Sequence, residues 1–370
     1  MTTTSPIGVA FLSAVRHASS YLPVLLSMPD VEVRAIGEER DAPAWAHEDA
    51  RILGRANDVP VTDNIESLLA RDDIQMIVVC SEPVRHARLA MAALDAGKHV
   101  VVDKPFATTL DDATALLQTV EVAPGRFTMM HRLFSPQIAR ARAAIDAGSV
   151  GLPLSLDLEW IASDGLSGEA VERPEFVTDM ALSGGGEIMN FLTYPVMTLR
   201  HLTGAEVMSL YAEAGSFFFD QHKGAGVEDF GVLSLQIENG IVATITVGRV
   251  PQAPSHAAVH STLRVIGSHG HLTIDESQPV LDIWQRKERR GIRIGGDAGQ
   301  LAVRDVLRTF VEDIRERRTP LVTASDGWAT IAAIDAAYRS IQARQPVEVW
   351  SLKEVAPERH ETGESDASRN

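Results

Sequence analysis

Over the first hundred residues, short continuous apolar runs alternate with helical stripes, and this alternation restricts the chain to few architectures. IGVAFLS (7–13), VEVRAIG (31–37), IQMIVVC (74–80) and the run that closes as VVVDKP (100–105) have the apolar, β-branched make-up of strands buried on both faces. Between them the apolar positions move to helical spacing. Tyr21, Leu22, Val24, Leu25 and Met28 form one stripe within 17–28, and further helices are expected at 44–53, 65–70 and 84–96, with a short strand near 59–61. Gly97 supplies a helix stop. Strands alternating with helices in this way mean βαβ units and a parallel sheet. The expected class is α/β.

The pattern changes around Pro124-Gly125. After a helix over 136–147, runs with period two arrive in succession: LPLSLDLEWIA (152–162), VLSLQI (232–237) and IVATITVG (241–248). Glu238-Asn239-Gly240 joins the last two as a hairpin, and LRVIG (263–267) pairs with HLTID (271–275) across Ser268-His269-Gly270. Consecutive antiparallel strands predict a second α/β domain on one large, mostly antiparallel open sheet. Helices near 301–316 and 326–343 close it. The expected division is residues 1–125, residues 126–354 and a polar, disordered tail over 355–370.

Composition narrows the function classes. A formal net charge of -16 argues against nucleic acid or an anionic membrane as the main partner. One cysteine, Cys80, excludes an internal disulfide and speaks against a cysteine zinc site, and no metal site is expected. The start, MTTTSPIGVAFL, lacks the basic and long apolar segments of a secretory leader, and no apolar run approaches the roughly 18 residues of a membrane span. The expectation is a cytoplasmic, soluble protein.

Ligands of open α/β sheets bind outside the carboxyl ends of the strands, so the residues closing each strand are the candidates. Asp103 and Lys104 end one strand just before a proline that cannot continue the ladder. A buried lysine there can act as acid or base. The first strand–helix turn, where a dinucleotide fold carries its glycines, reads Ser13-Ala14-Val15-Arg16-His17-Ala18 and contains none. Val15 stands where a diphosphate would approach the backbone, and Arg16 either offers charge to a phosphate or is a surface arginine. Glu38 follows the second strand, where an acid bonds ribose hydroxyls and favours NAD over NADP, against which Arg40 works. Ser81, Glu82 and His86 lie on the same edge. In the second half, the triple glycine 184–186 precedes a helical stretch over 188–203 that presents Asn190 and Tyr194 at i and i+4. A tyrosine phenol beside a lysine can exchange a substrate's hydroxyl proton while hydride leaves the same carbon. His131 and Arg132 end a further strand-like run; Arg132 either contacts a polar ligand or forms a salt bridge across the domain junction.

Six segments in order, AGKHVVVDKP (96–105), HRLFSP (131–136), AGSVGLP (147–153), SGGGEIMN (183–190), VEDFGVLSLQIENG (227–240) and TPLVTASDGWATIAAIDAAYRS (319–340), resemble the Gfo/Idh/MocA oxidoreductases. The likeness spans about residues 7–350. It implies a Rossmann domain followed by a domain whose open sheet assembles a homodimer or homotetramer. It implies NAD- or NADP-dependent oxidation or reduction of a sugar, polyol or related hydroxyl compound. By the same resemblance Lys104 binds the reacting hydroxyl and assists proton transfer, Asp103 sits at the cofactor, and Ser81, Glu82 and His86 line nicotinamide and ribose. Ser13 to His17 form the cofactor turn. Tyr194 takes the place of the usual catalytic histidine; Lys104, Tyr194 and Asn190 are the expected catalytic residues, and the same three with Arg132 are the expected substrate contacts. The chain departs from the family pattern at Ser13, Val15 and Ala18 in place of glycines, at Asn190 in place of aspartate, and at Asp103 in place of glutamate. The alternative on the same fold is a ligand-sensing or regulatory protein without catalysis.

Overall fold

The computed structural model describes residues 5–123, 125–163, 172–251, 259–276, 280–285, 288–293 and 298–355. The tail expected after residue 355 lies outside them. The opening runs form a six-stranded, wholly parallel sheet from β1 (Ile7–Leu12), β2 (Val31–Gly37), β3 (Val61–Thr62), β4 (Met76–Val79), β5 (His99–Val102) and β6 (Phe127–Met129), in the order β3-β2-β1-β4-β5-β6. The strands are continuously apolar because both faces are covered. Val9, Phe11, Val78 and Val101 point into one core, while Ala10, Leu12, Val79, Val100 and Val102 point into the other. Burying each such side chain contributes about 1.5–3 kcal/mol.

Two features cross the division expected at residue 125. β6 pairs with β5 beyond it. The late helix Ala298–Glu316 returns to the first sheet, where its apolar face (Val306, Leu307, Phe310 and Val311) packs with Tyr21, Leu22 and Leu25. A sheet with two apolar faces needs helices on both, and the crossover helices leave room for this one.

The second sheet has nine strands: β7 (Pro153–Ala162), β8 (Val207–Gly215), β9 (Phe230–Ile237), β10 (Val242–Arg249), β11 (Val259–Gly267), β12 (Gly270–Asp275), β13 (Val280–Gln285), β14 (Glu288–Arg293) and β15 (Val347–Glu348). Their order is β14-β13-β12-β11-β7-β10-β9-β8-β15, antiparallel except for the β7–β10 pair. The hairpin at Glu238–Gly240 forms as expected, with Asn239 in the left-handed region at φ 63°. The β11–β12 pairing also forms as expected. Along β9, Val232, Ser234 and Gln236 are exposed while Leu233, Leu235 and Ile237 are buried, so one face of this sheet stays open. Among the described residues no helix is long and apolar enough to cross a membrane.

The stretch expected as one helix over 188–203 is two, Glu187–Phe191 and Thr193–Thr203, meeting at Leu192. Pro195 has no N–H to give to the preceding turn, which interrupts the ladder there. Leu192 keeps helical dihedrals, so Asn190 and Tyr194 still share a side. The helix Ala324–Ala343 presses its Gly327 onto the ring of Phe106, two residues beyond Lys104; a Cβ on Gly327 would stand 2.3 Å from Phe106 Cδ2. Gly327→Ala is therefore expected to lower the unfolding free energy by about 1–3 kcal/mol in urea denaturation, from overpacking. A change below about 0.5 kcal/mol would show that the ring yields freely.

Candidate functional site

The end of β5 carries Asp103 and Lys104 into the space between the two sheets, and both are buried. Lys104 Nζ donates to the backbone oxygen of Asn190 at 3.0 Å and to its side-chain Oδ1 at 2.6 Å. The rings of Phe191 and Tyr194 stand 5.5 Å and 5.4 Å from the same nitrogen. Burial, with the Arg16 charge beside it, pulls the Lys104 ammonium down to about 7. This lysine changes charge near neutral pH.

Asn190 Oδ1 also accepts from Arg16 Nη2 at 2.6 Å. Its Nδ2 donates to Glu187 Oε2 at 2.7 Å, which fixes the amide with its oxygen toward the two cations. Glu187 is itself fully buried and paired with Arg249 at 2.6 Å. Burial would raise its pKa, but Arg249 and neighbouring His222 bring it down to about 2. The triple glycine is explained by packing: a Cβ at Gly184 would meet Thr108, one at Gly185 the Tyr338 hydroxyl, and one at Gly186 the backbone oxygen of Glu228. The close neighbours are protein atoms.

Asp103 accepts from Tyr21 Oη at 2.7 Å and from the Lys104 backbone N–H at 2.8 Å, and its Oδ2 lies 2.7 Å from His17 Nδ1. Burial alone would raise its pKa; paired His17, with His86 and Lys104 nearby, holds it well below the usual carboxylate range. Tyr194 stacks on Trp160 at 4.4 Å, and burial pushes its phenol up, so it stays protonated at neutral pH. Arg132 lies over the other part of the same wall, 5.0 Å from the Trp160 ring, and pairs with Glu276 at 3.0 Å. His131 is buried against Phe134 and pulled down to about 3 by burial, so it is neutral.

The first turn departs most from a glycine cradle. Ser13 takes the left-handed φ of 62° that a glycine would supply, and His17 takes 51°. The backbone N–H groups of Val15 and Arg16 both donate to Cys80 O at 3.1 Å. Val15 packs with Ala46 and Phe176, and Trp45 meets the Phe176 ring edge-on at 5.6 Å. Arg16 does not lie on the surface. It is 3% exposed and crosses to the second half of the chain, donating to Phe176 O at 3.2 Å as well as to Asn190. Ala14 is buried in the turn.

At the end of β2, Glu38 is buried and accepts from Ser13 Oγ through Oε2 at 2.6 Å and from Arg85 Nη1 through Oε1 at 2.7 Å. Arg40, expected beside it, is exposed; Arg85 takes that place and also binds Glu82 through two bonds of 2.7 Å and Glu39 at 3.0 Å. Ser81 and Glu82 sit buried at the end of β4. His86 is fully buried with its two ring nitrogens 2.7 Å from Pro105 O and 3.0 Å from Ser81 O, so it braces the ends of β4 and β5. Sequence reasoning passed over Arg85, Phe176, Glu187, Arg249 and Tyr21. Tyr21 had a signal, a polar tip inside an apolar stripe, and Glu187 stood inside a quoted motif.

The dinucleotide expected from the sequence fits these residues at its ends. Glu38 Oε2 accepts one side-chain bond and keeps acceptor capacity for a ribose hydroxyl, and Lys104 with Tyr194 stands at the opposite side of the turn. At the turn itself Val15 is packed against Phe176, where a glycine cradle would leave the backbone open to a diphosphate.

Residues 7–131 match the oxidoreductase family described by its NAD-binding Rossmann fold, and residues 138–273 match the GFO/IDH/MocA C-terminal domain. Myo-inositol 2-dehydrogenase of Thermotoga maritima is 23% identical over 76% of this chain and 82% of its own length. For 1,5-anhydro-D-fructose reductase of Ensifer adhaerens the identity is 25% over 77% and 83%. The solved apo scyllo-inositol dehydrogenase from Lactobacillus casei superposes with a TM-score of 0.77 at 18% identity, covering 94% of this chain and 99% of that one.

Arg85, whose side chain is 11% exposed, is the shared cation of three carboxylates. Arg85→Met is expected to cost about 3 kcal/mol of unfolding free energy in urea, because it leaves those acids facing one another out of water. A loss under about 1 kcal/mol would mean that they are already solvated.

Proposed function

The chain belongs to the GFO/IDH/MocA oxidoreductase family, and from that premise we propose that it oxidises or reduces a carbinol or carbonyl carbon of a sugar, polyol or related compound with a nicotinamide dinucleotide. The observation that carries this reading is Lys104: buried, held by Asn190 and poised near neutral pH beside Tyr194. Perturbed titratable groups of this kind in a buried cleft are what proton transfer needs.

Lys104 performs the proton step by its hydrogen-bond count. A neutral amine has two N–H groups, and the two oxygens of Asn190 receive them. The lone pair is left to take the proton of a substrate hydroxyl. The protonated form has a third N–H to return that proton to a carbonyl oxygen. Tyr194 stays neutral and serves as a hydrogen-bond donor to the same oxygen, not as the base. Asn190 has both lone pairs of its Oδ1 engaged, so it orients Lys104 rather than accepting a proton. A bound nicotinamide supplies the hydride acceptor or donor. Glu38 takes the adenosine ribose, and its charge disfavours a 2′-phosphate, so NAD is the preferred form.

A second reading, a ligand-sensing protein without turnover, is favoured by one observation: the turn amides are spent on Cys80 while Phe176 covers Val15. The two readings separate on turnover. Lys104→Met is expected to lower kcat by about 10²- to 10⁴-fold with dinucleotide affinity retained, measured by steady-state absorbance and by calorimetry. An unchanged rate would remove Lys104 from the chemistry. Because the neutral amine is the base, kcat/KM for oxidation should rise with pH up to about 7 and then level off, and reduction should fall over the same range. A flat profile between pH values about one unit either side of that midpoint would contradict this assignment.

A further inference from the structure

Two buried cations, Arg16 and Lys104, converge on one neutral oxygen. Arg16 Nη2 and Lys104 Nζ each lie 2.6 Å from Asn190 Oδ1, so the two nitrogens are no more than twice 2.6 Å apart. Among the described residues neither is hydrogen-bonded to a carboxylate. Asp103 is engaged by Tyr21, His17 and the Lys104 backbone, Glu187 by Asn190 and Arg249, and Glu172, whose charge acts on both cations without a hydrogen bond to either, by the His17 backbone N–H. Arg16 is also under-used. A guanidinium has five N–H groups in a planar fork. Its Nη1 makes one 3.2 Å bond to Phe176 O, and its Nε is buried with no partner. A buried donor without a partner is costly, and among the described residues no carboxylate meets the Arg16 fork directly. The arrangement is completed by an anion that presents two oxygens in a plane.

The position identifies whose anion it is. In a dinucleotide a ribose separates the diphosphate from the nicotinamide ring, so an anion held this close to the Lys104 nitrogen belongs to the molecule whose hydroxyl Lys104 meets. We propose that Arg16 binds a carboxylate bonded directly to the reacting carbinol carbon, which makes the substrate a polyhydroxy 2-hydroxy acid of the aldonate type. This rests on the assignment of Lys104 to the reacting hydroxyl. It moves Arg16 from the phosphate-binding turn to the substrate, and it gives a reason for the turn's lost glycines: Arg16 leaves the turn as a substrate contact.

The test is calorimetric titration of the full chain, with and without NADH, using D-gluconate and D-galactonate against their matched alditols, D-glucitol and galactitol, and against D-glucose 6-phosphate. At least one aldonate should bind about tenfold or more tightly than its alditol, the size expected of a charge-assisted, forked hydrogen bond. Arg16→Gln should bring that ratio close to one. Arg16→Lys, which keeps the charge without the fork, should retain part of it and serves if the glutamine variant does not fold. Equal or better binding of the alditols, preference for the phosphate, or no binding of any probe would overturn the proposal. Aldonate binding that depends on Arg16 but is followed by no reduction of added NAD⁺ or NADP⁺ would uphold the carboxylate site and remove the oxidoreductase reading, so the two fail separately.

Discussion

The side-chain carbonyl of Asn190 is the atom on which the cleft depends. It takes the Lys104 ammonium and the Arg16 guanidinium together, in a place that water does not reach. An aspartate there would pair with both cations and favour the charged lysine. The amide orients Lys104 without neutralising it, and burial together with Arg16 outweighs the nearby Asp103, Glu187 and Glu172 charges, so the lysine settles near 7. The replacement that looks like a lost base in the sequence is, in physical terms, the condition for a lysine that can give up its proton.

Everything around the amide serves to hold it in that orientation. Glu187 accepts from Nδ2, Arg249 keeps Glu187 ionised, and the glycine triplet lets this short helix seat against Thr108, Tyr338 and Glu228. From the other side the chain leaving β5 carries Lys104, with His86 bracing the backbone beyond it and Gly327 pressed on Phe106. The first turn joins the same unit, because Arg16 reaches Asn190 while Val15 lies under Phe176.

Much of the fold was legible because apolar periodicity reports burial directly. β1, β4 and β5 read as continuous runs since both faces are covered, and β9, β10, β11 and β12 read as alternating since one face is open. β8 was missed: VMSLYAEAG has small residues at its end that dilute the period. β14, the edge strand ERRGIR, is mostly charged and gave no apolar pattern, and β13, VLDIWQ, has its short apolar run broken by Asp282. The return of helix Ala298–Glu316 to the first sheet was invisible, since an amphipathic stripe does not say which core it covers. In the site, Lys104, Asn190 and Tyr194 were visible by position and motif, and the structure brings them together. Arg16 was singled out for the wrong partner and Arg85 was not seen at all, because a charged side chain's partners come from distant segments: Arg16 bonds Asn190, 174 positions away, and Arg85 bonds Glu38, 47 positions away.

The most direct test of the central claim is calorimetric titration of the purified chain with NADH and NADPH, after the protein has been checked for nucleotide already bound. The account predicts micromolar binding of NADH, weaker binding of NADPH because of Glu38, or a dinucleotide that is already in place. Folded, nucleotide-free protein that binds neither would contradict it, and would leave the closed turn under Phe176 as the permanent state of a fold that no longer carries out hydride transfer.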